Sequence, residues 1–268
     1  MMGKERQEEI CFENLKSKKG GKYVSKMLAA FRKGTKIDDW KESPDFIVEV
    51  DKKILAVEHF TVDSIYVNKR SANRMTDEKL WSTYNTHHEA LEKGVLDESI
   101  ACKDLEQDLQ FALDVSRTFD YDISMEQFER IFENHVRKIP KYMENLIEYQ
   151  DKEIYFLIEM SLWWFSRYRG LFDCIAIRKD GGEIRLDGSS IIITEKIVEI
   201  MKGQIGILKG IIIQGYTSLD LNKDMKSMVY LDLSSENEFE KSIAKQRIEI
   251  YKEYYLSVPK INVKFNLE

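Results

Sequence analysis

The chain has only three cysteines in 268 residues, Cys11, Cys102 and Cys174. They are far apart and odd in number. That excludes a disulfide framework and a spaced zinc motif, and it points to a reducing, cytoplasmic setting. No apolar run approaches the roughly 18 residues of a membrane span, and the charged start, MMGKERQEE, does not read as a signal peptide. Internal repeats and low-complexity tracts are missing too. Gly20-Gly21 and Gly203-x-x-Gly206 lack the strand–turn–helix context and the lysine of a phosphate-binding loop, and there is no nucleophile elbow.

Hydrophobic residues make up 43% of the chain and charged residues 33%, which describes a globular protein. The length suffices for a real core in one large domain or two small ones. A formal charge of −6 argues against coating nucleic acid nonspecifically, although a local basic patch would serve an enzyme. The charge is uneven. Residues 1–41 hold eleven Lys or Arg against six Asp or Glu, a balance of +5, which leaves −11 for the remainder. Gly20-Gly21 reads as a break between two helices. The second, Tyr23 to Phe31, places Val24, Met27, Leu28 and Phe31 on one side. Lys22, Lys26, Arg32 and Lys33 then read either as phosphate contacts beside a cleft or as the solvated face that charge runs usually form.

The most informative stretch is SPDFIVEVDKKILAVEHFT, residues 43–61. Two β-like runs, Phe46 to Val50 and Lys53 to Val62, flank a charged turn at Asp51-Lys52, as a half-buried hairpin requires. Pro44 cannot donate to a sheet ladder, so it belongs at a strand start or edge, with Asp45 at the hairpin mouth. Alternation puts Ile54, Ala56, Glu58, Phe60 and Val62 on one face, and Leu55, Val57, His59 and Thr61 on the other. A carboxylate at Glu58, between Ala56 and Phe60, needs compensation, because burying it unpaired costs several kcal/mol. A hard divalent cation shared with Asp45 would supply it.

These residues resemble the PD-(D/E)xK nuclease superfamily, the restriction-endonuclease-like fold. There a helix precedes a β-hairpin, Pro-Asp opens one strand, and Glu-x-Lys lies on the next. Pro44-Asp45 matches the first part and Glu58 the acidic position of the second, while Phe60 stands where the family has lysine. The resemblance covers roughly the first third of the chain. It implies an α/β fold with a mixed β-sheet flanked by helices, and Asp45 and Glu58 as ligands of Mg²⁺ or Mn²⁺. The implied activity is phosphodiester hydrolysis, in DNA rather than RNA, in host defence or on mobile elements. The family often adds a Glu from its N-terminal helix, for which Glu9 and Glu13 are candidates. Three repairs of the absent lysine are open. His59 would need a bulge to reach the acidic face. Lys69, or a cation from a helix after the hairpin, would have to move in. Alternatively the site is inactive and the scaffold serves protein docking.

Beyond the hairpin, Lys69, Arg70 and Arg74 mark either a substrate-facing loop or a surface connection, and His87-His88 read as helix-face residues. We expect one domain over residues 1–268 with a helical insertion at about 77–150. Between Glu89 and Glu133 it carries thirteen acidic residues against four basic, which repels DNA and suits a protein partner or solvent. A helix is expected from Ser124, through a capping box with Gln127, with His135 a half-buried packing residue. Pro140 should kink or restart the helix before Tyr142 to Tyr149. Residues 153–160 read as a central strand with Glu159 at its end, either a third acid near the site or, as the favoured reading, a strand-end surface residue. Trp163, Trp164, Phe165 and Tyr168 beside Arg167 and Arg169 fit base stacking or an ordinary core equally. The C-terminal third predicts a hairpin turning at Asp180-Gly181-Gly182, a helix at 194–201 and strands at 208–216 and 228–234, the second interrupted by Asp232. A long helix at 236–255 and an edge strand close the chain.

Overall fold

The computed structural model describes residues 4–16, 21–37, 40, 43–62, 65–67, 74–76, 121–160, 175–178, 183–185, 191–215, 227–251 and 254–257. In chain order the helices are α1 (Lys4–Lys16), α2 (Lys22–Met27), α3 (Ala29–Lys33), α4 (Tyr121–Val136), α5 (Ile139–Asn145), α6 (Glu195–Lys202) and α7 (Glu236–Gln246). The strands are β1 (Thr35–Lys36), β2 (Phe46–Val50), β3 (Lys53–Val62), β4 (Ile65–Val67), β5 (Arg74–Thr76), β6 (Lys152–Met160), β7 (Ile175–Arg178), β8 (Glu183–Arg185), β9 (Ile191–Thr194), β10 (Gly210–Gly215), β11 (Ser227–Asp232), β12 (Ile248–Tyr251) and β13 (Tyr254–Ser257).

The contacts divide the chain into two compact units. The first takes Met1–Val62, Glu126–Arg169 and Gly188–Lys252. Its centre is a six-stranded mixed sheet in the order β1-β2-β3-β6-β10-β11, with β3, β6 and β10 parallel and the outer pairs antiparallel. β9 and β12 form a separate parallel pair. In the second unit, Asp63–Met125, Gly170–Asp187 and Glu253–Glu268, β4 pairs β5, and β7 pairs both β8 and β13. The β7–β8 pairing is the hairpin predicted around residues 180–182. The described part is thus mixed α/β, with helices flanking the six-stranded sheet.

The hairpin forms for the reasons its sequence suggests. Val50 pairs with Lys53, which leaves Asp51 and Lys52 as a two-residue turn, both at positive φ (51° and 67°). That is the backbone of the hairpin turn whose twist matches the flanking strands. One expectation changes: β3 is buried on both faces rather than one, because it lies inside the sheet between β2 and β6. On one face, Leu55, Val57, Tyr155 and Leu157 pack with Phe12 and Leu15 of α1 and with Val24, Leu28 and Phe31. On the other, Phe60 and Phe156 meet Phe132 of α4 edge to face.

Four further expectations are corrected. The segment Tyr23 to Phe31 keeps its buried stripe but is interrupted at Leu28. α4 begins at Tyr121, so Ser124 lies buried within the helix instead of capping it. Glu159 is buried in the sheet (1% exposed), not at a surface end, because β6 has strand neighbours on both sides through Met160. The long C-terminal helix stops at Gln246. Arg247 turns left-handed (φ 53°, ψ 49°), and Ile248 and Ile250 then alternate along β12 against β9. β-branched residues with a strand partner favour the sheet over a lengthened helix.

Pro140 sits in the first turn of α5, so of the two expected outcomes the helix restarts rather than kinks, and it ends at Asn145, short of the expected 149. The Gln246 side chain accepts from Tyr230 N (3.0 Å) and donates to Tyr230 O (2.6 Å), which closes the backbone of the outermost strand, β11. Among the described residues, no helix is long and apolar enough to cross a membrane. Lys69, Arg70, His87, His88, the aromatic–arginine stretch at 161–170, most of the expected insertion at 77–150 and the closing INVKFNL lie outside the described residues.

Candidate acidic site on the sheet

Asp45 immediately precedes β2 and Glu58 lies in mid-β3. The antiparallel register pairs Phe46 with Val57, and one more step sets Asp45 across from Glu58. The segment before β2 is anchored from two directions. Trp40 Nε1 donates to Pro44 O (2.7 Å) and Asn145 Nδ2 donates to Ser43 O (2.7 Å). Asp45 itself is fixed by the backbone of the opposite strand, His59 N donating to its Oδ2 at 2.7 Å.

The two carboxyl groups have opposite electrostatics. Asp45 is open to solvent at its outer edge, yet crowding by the protein and the neighbouring charge of Glu58 push its pKa up to about 6, against the pull of the His59 amide. Glu58 is buried (3% exposed), which disfavours its charge. Nevertheless its carboxyl is held below the ordinary range by the His135 hydrogen bond, by the facing Tyr142 hydroxyl and by Lys138. His135 Nδ1 lies 2.7 Å from Glu58 Oε1, and Lys138 Nζ lies 3.5 Å from the same oxygen. Glu58 Oε2 is buried without a hydrogen bond, and the Tyr142 hydroxyl faces the carboxylate outside good bonding geometry. Burial and the Glu58 charge in turn raise the Tyr142 hydroxyl pKa. Two carboxyls thus share one face of the sheet, one ionised and one that keeps its proton up to weakly acidic pH.

Phe60 points to the same face as Glu58. Its ring stacks on His135 (4.2 Å between centroids, 11° between planes) and meets Phe132 and Phe156 at steep angles. The phenyl ring therefore forms the floor under the imidazole that grips Glu58. His135 packs as expected and is in addition the first hydrogen-bond partner of the acidic residue. Lys138, three residues further, brings a cation from the helical segment after the hairpin.

His59 does not do what a ring-mediated repair requires. The register with β6 runs unbroken through Glu58↔Phe156 and His59↔Leu157, so there is no bulge. Its ring faces the other side of the sheet, with Nε2 3.9 Å from Glu159 Oε2. Its part at the acidic site is the backbone N–H given to Asp45. The N-terminal helix does bring an acid toward Asp45, but it is Glu8, whose charge adds to the rise in the Asp45 pKa. Glu9 instead pairs with Lys36 (2.6 Å) and Glu13 with Lys16 (2.9 Å) at the surface.

Reading the sequence missed Lys138 and Glu8. The available signal was weak: His135 and Lys138 are three residues apart at the end of a helix, where cations are favoured anyway by the helix dipole. No family model matches the chain, and no curated protein or solved structure matches it either.

Proposed function

We propose that the chain is a metal-dependent phosphodiesterase acting on DNA, with Asp45 and Glu58 as ligands of Mg²⁺ or Mn²⁺ and Lys138 in the role that the family gives to the lysine replaced by Phe60. The observation that carries this reading is the convergence of two carboxyls from adjoining strands with the Lys138 ammonium beside one of them. The donors suit a hard cation. Glu58 Oε1 takes both His135 and Lys138, while Oε2 is buried without a hydrogen bond, a costly state that a cation relieves. The raised Asp45 pKa fits as well, since two close acids without a shared cation hold a proton between them.

When bound, such an ion polarises a phosphate oxygen and acidifies a water molecule. The chain's own residues do the positioning. The His59 amide orients Asp45, and the Phe60 floor orients His135, which holds Glu58 ionised. Lys138, about half exposed, is free to swing its ammonium toward a phosphate while its stem stays anchored at the start of α5.

Calorimetric titration with Mn²⁺, together with plasmid nicking, tests the reading. The native chain should bind and nick, Asp45→Ala should lose both, and Lys138→Ala should keep the metal and lose nicking. Absence of both binding and nicking in the native chain removes the enzyme reading. It favours the second one, an inactive nuclease-like scaffold that docks a protein. That alternative draws on the same pairings, because His135 and the Lys138 ammonium already lie against Glu58 without an ion.

A further inference from the structure

The face of the sheet opposite Asp45 and Glu58 holds a second group of donors. Cys11 of α1, His59 of β3 and Glu159 of β6 each offer one ligand atom, and these atoms lie within 4.8 Å of one another. All three residues are buried: Cys11 is 0% exposed, His59 7% and Glu159 1%. Cys11 Sγ lies 3.0 Å from Glu159 Oε1, and His59 Nε2 lies 3.9 Å from Glu159 Oε2. Thr61, on the same face of β3, donates from Oγ1 to Glu159 Oε2 at 3.4 Å. The main chain at Cys11 is pinned as well, because Gln214 Nε2 of β10 donates to Cys11 O at 2.7 Å.

From this convergence we infer that Cys11, His59 and Glu159 form a binding site for a thiophilic divalent cation, Zn²⁺ by its donor set. Sulfur, imidazole nitrogen and carboxylate oxygen are the ligands zinc accepts, and a tetrahedral ion sets neighbouring donors on the order of 3.3–3.6 Å apart. Cys11 Sγ at 3.0 Å from Glu159 Oε1 and His59 Nε2 at 3.9 Å from Oε2 bracket that edge length, and with the donors spanning up to 4.8 Å, side-chain shifts on the order of an ångström close the site. The charge balance is favourable in a buried place. Binding exchanges the thiol proton of Cys11 for the ion and releases that proton to solvent, with no change of oxidation state. Thiolate, carboxylate and dication then sum to zero. The fourth position falls to the Thr61 hydroxyl or a water molecule.

The site is separate in place and chemistry from the acidic pair. Asp45 and Glu58 offer only oxygen and suit Mg²⁺ or Mn²⁺, whereas this cluster includes sulfur and nitrogen. It ties α1 to two central strands, and His59 links the two faces, giving its ring to one and its amide to Asp45 on the other. Its natural role is therefore structural, holding α1 against the sheet.

The test uses the full chain stripped of metal by chelation and titrated with Co²⁺ as a spectroscopic stand-in for Zn²⁺. We expect one equivalent to bind, with a thiolate-to-cobalt charge-transfer band and tetrahedral visible absorption that one equivalent of Zn²⁺ abolishes. His59→Ala and Glu159→Gln should weaken binding by at least about tenfold, and Thr61→Val by about tenfold. Cys11→Ser should lose the charge-transfer band, while Asp45→Ala should leave it unchanged. If Cys11→Ser does not fold, the double variant Cys102→Ser/Cys174→Ser decides, since the band persists there only if Cys11 is the ligand. No band in the native chain, or a band that survives in folded Cys11→Ser or vanishes in the double variant, overturns the inference. The Cys11 thiol would then simply donate its proton to Glu159.

Discussion

Phe60 stands where the proposed nuclease motif would have a lysine, and truncating it tests whether the ring has a structural role there. The side chain is 6% exposed and packs against three rings: His135 at 4.2 Å, Phe156 at 5.4 Å and Phe132 at 6.3 Å between centroids. Removing a buried phenyl ring to Ala costs about 3–5 kcal/mol, the lost transfer energy plus the cavity left behind. Of that, each favourable ring pair accounts for about 0.5–1.5 kcal/mol beyond area burial. Phe60→Ala should therefore unfold in urea at a much lower midpoint with an unchanged slope. Phe60→Leu, which keeps most of the volume, should cost about 1–2 kcal/mol. In a double-mutant cycle with His135→Ala, the coupling should be about 0.5–1.5 kcal/mol, because the stacked imidazole and phenyl lose the same contact. A Phe60→Ala cost below about 1 kcal/mol, or a coupling within the additivity error of about 0.3–0.5 kcal/mol, would refute the idea that Phe60 holds His135 in place.

Two more outcomes follow from the geometry. The Asp45 carboxyl titrates in the folded chain at about 6, above its ordinary value of 3.8. Its contribution to stability is thus fully present below the unfolded value and is lost as pH rises through about 6. In the metal-free protein, Asp45→Asn should flatten that fall between roughly pH 4 and 7 and be relatively more stable at neutral pH. Equal pH slopes for the two proteins in thermal melts count against the close pairing with Glu58. Gly34 ends α3 with an ordinary negative φ, so Ala there gains by restricting the unfolded chain, about 0.4–1 kcal/mol. Its new methyl group, however, would collide with Val48 Cγ1 and come 2.9 Å from Glu49 O. Overpacking of that kind costs about 1–3 kcal/mol, so Gly34→Ala should melt lower than the native chain. A higher melting temperature would show that β2 yields more easily than the packing implies.

The residues that sequence placed well belong to contiguous patterns. Alternation along 53–62 put Glu58 and Phe60 on one face, and two turn residues between β-rich runs fixed the hairpin and its register. The turn then carried Asp45 to the same face as Glu58. Dense apolar runs at 153–160, 208–216 and 228–234 made strands legible where they form, at 152–160, 210–215 and 227–232, and Pro140 marked a break in the helices. Where local signals competed, pairing decided. The charged stretch after Gln246 had helical periodicity, but β9 offered Ile248 and Ile250 a strand partner. Glu159 looked like a strand end until two neighbouring strands enclosed it.

The chain's order of residues therefore determined the elements, the turn that joins β2 to β3, and the side of the sheet each side chain takes, since those follow from backbone dihedrals and the two-residue repeat of a strand. Tertiary structure alone decided which partners fill each side. Lys138 and His135 reach Glu58 from about 80 positions away, and Cys11 meets Glu159 across 148. Such meetings depend on how helices close over the sheet, a property of packed surfaces that leaves no mark in local spacing.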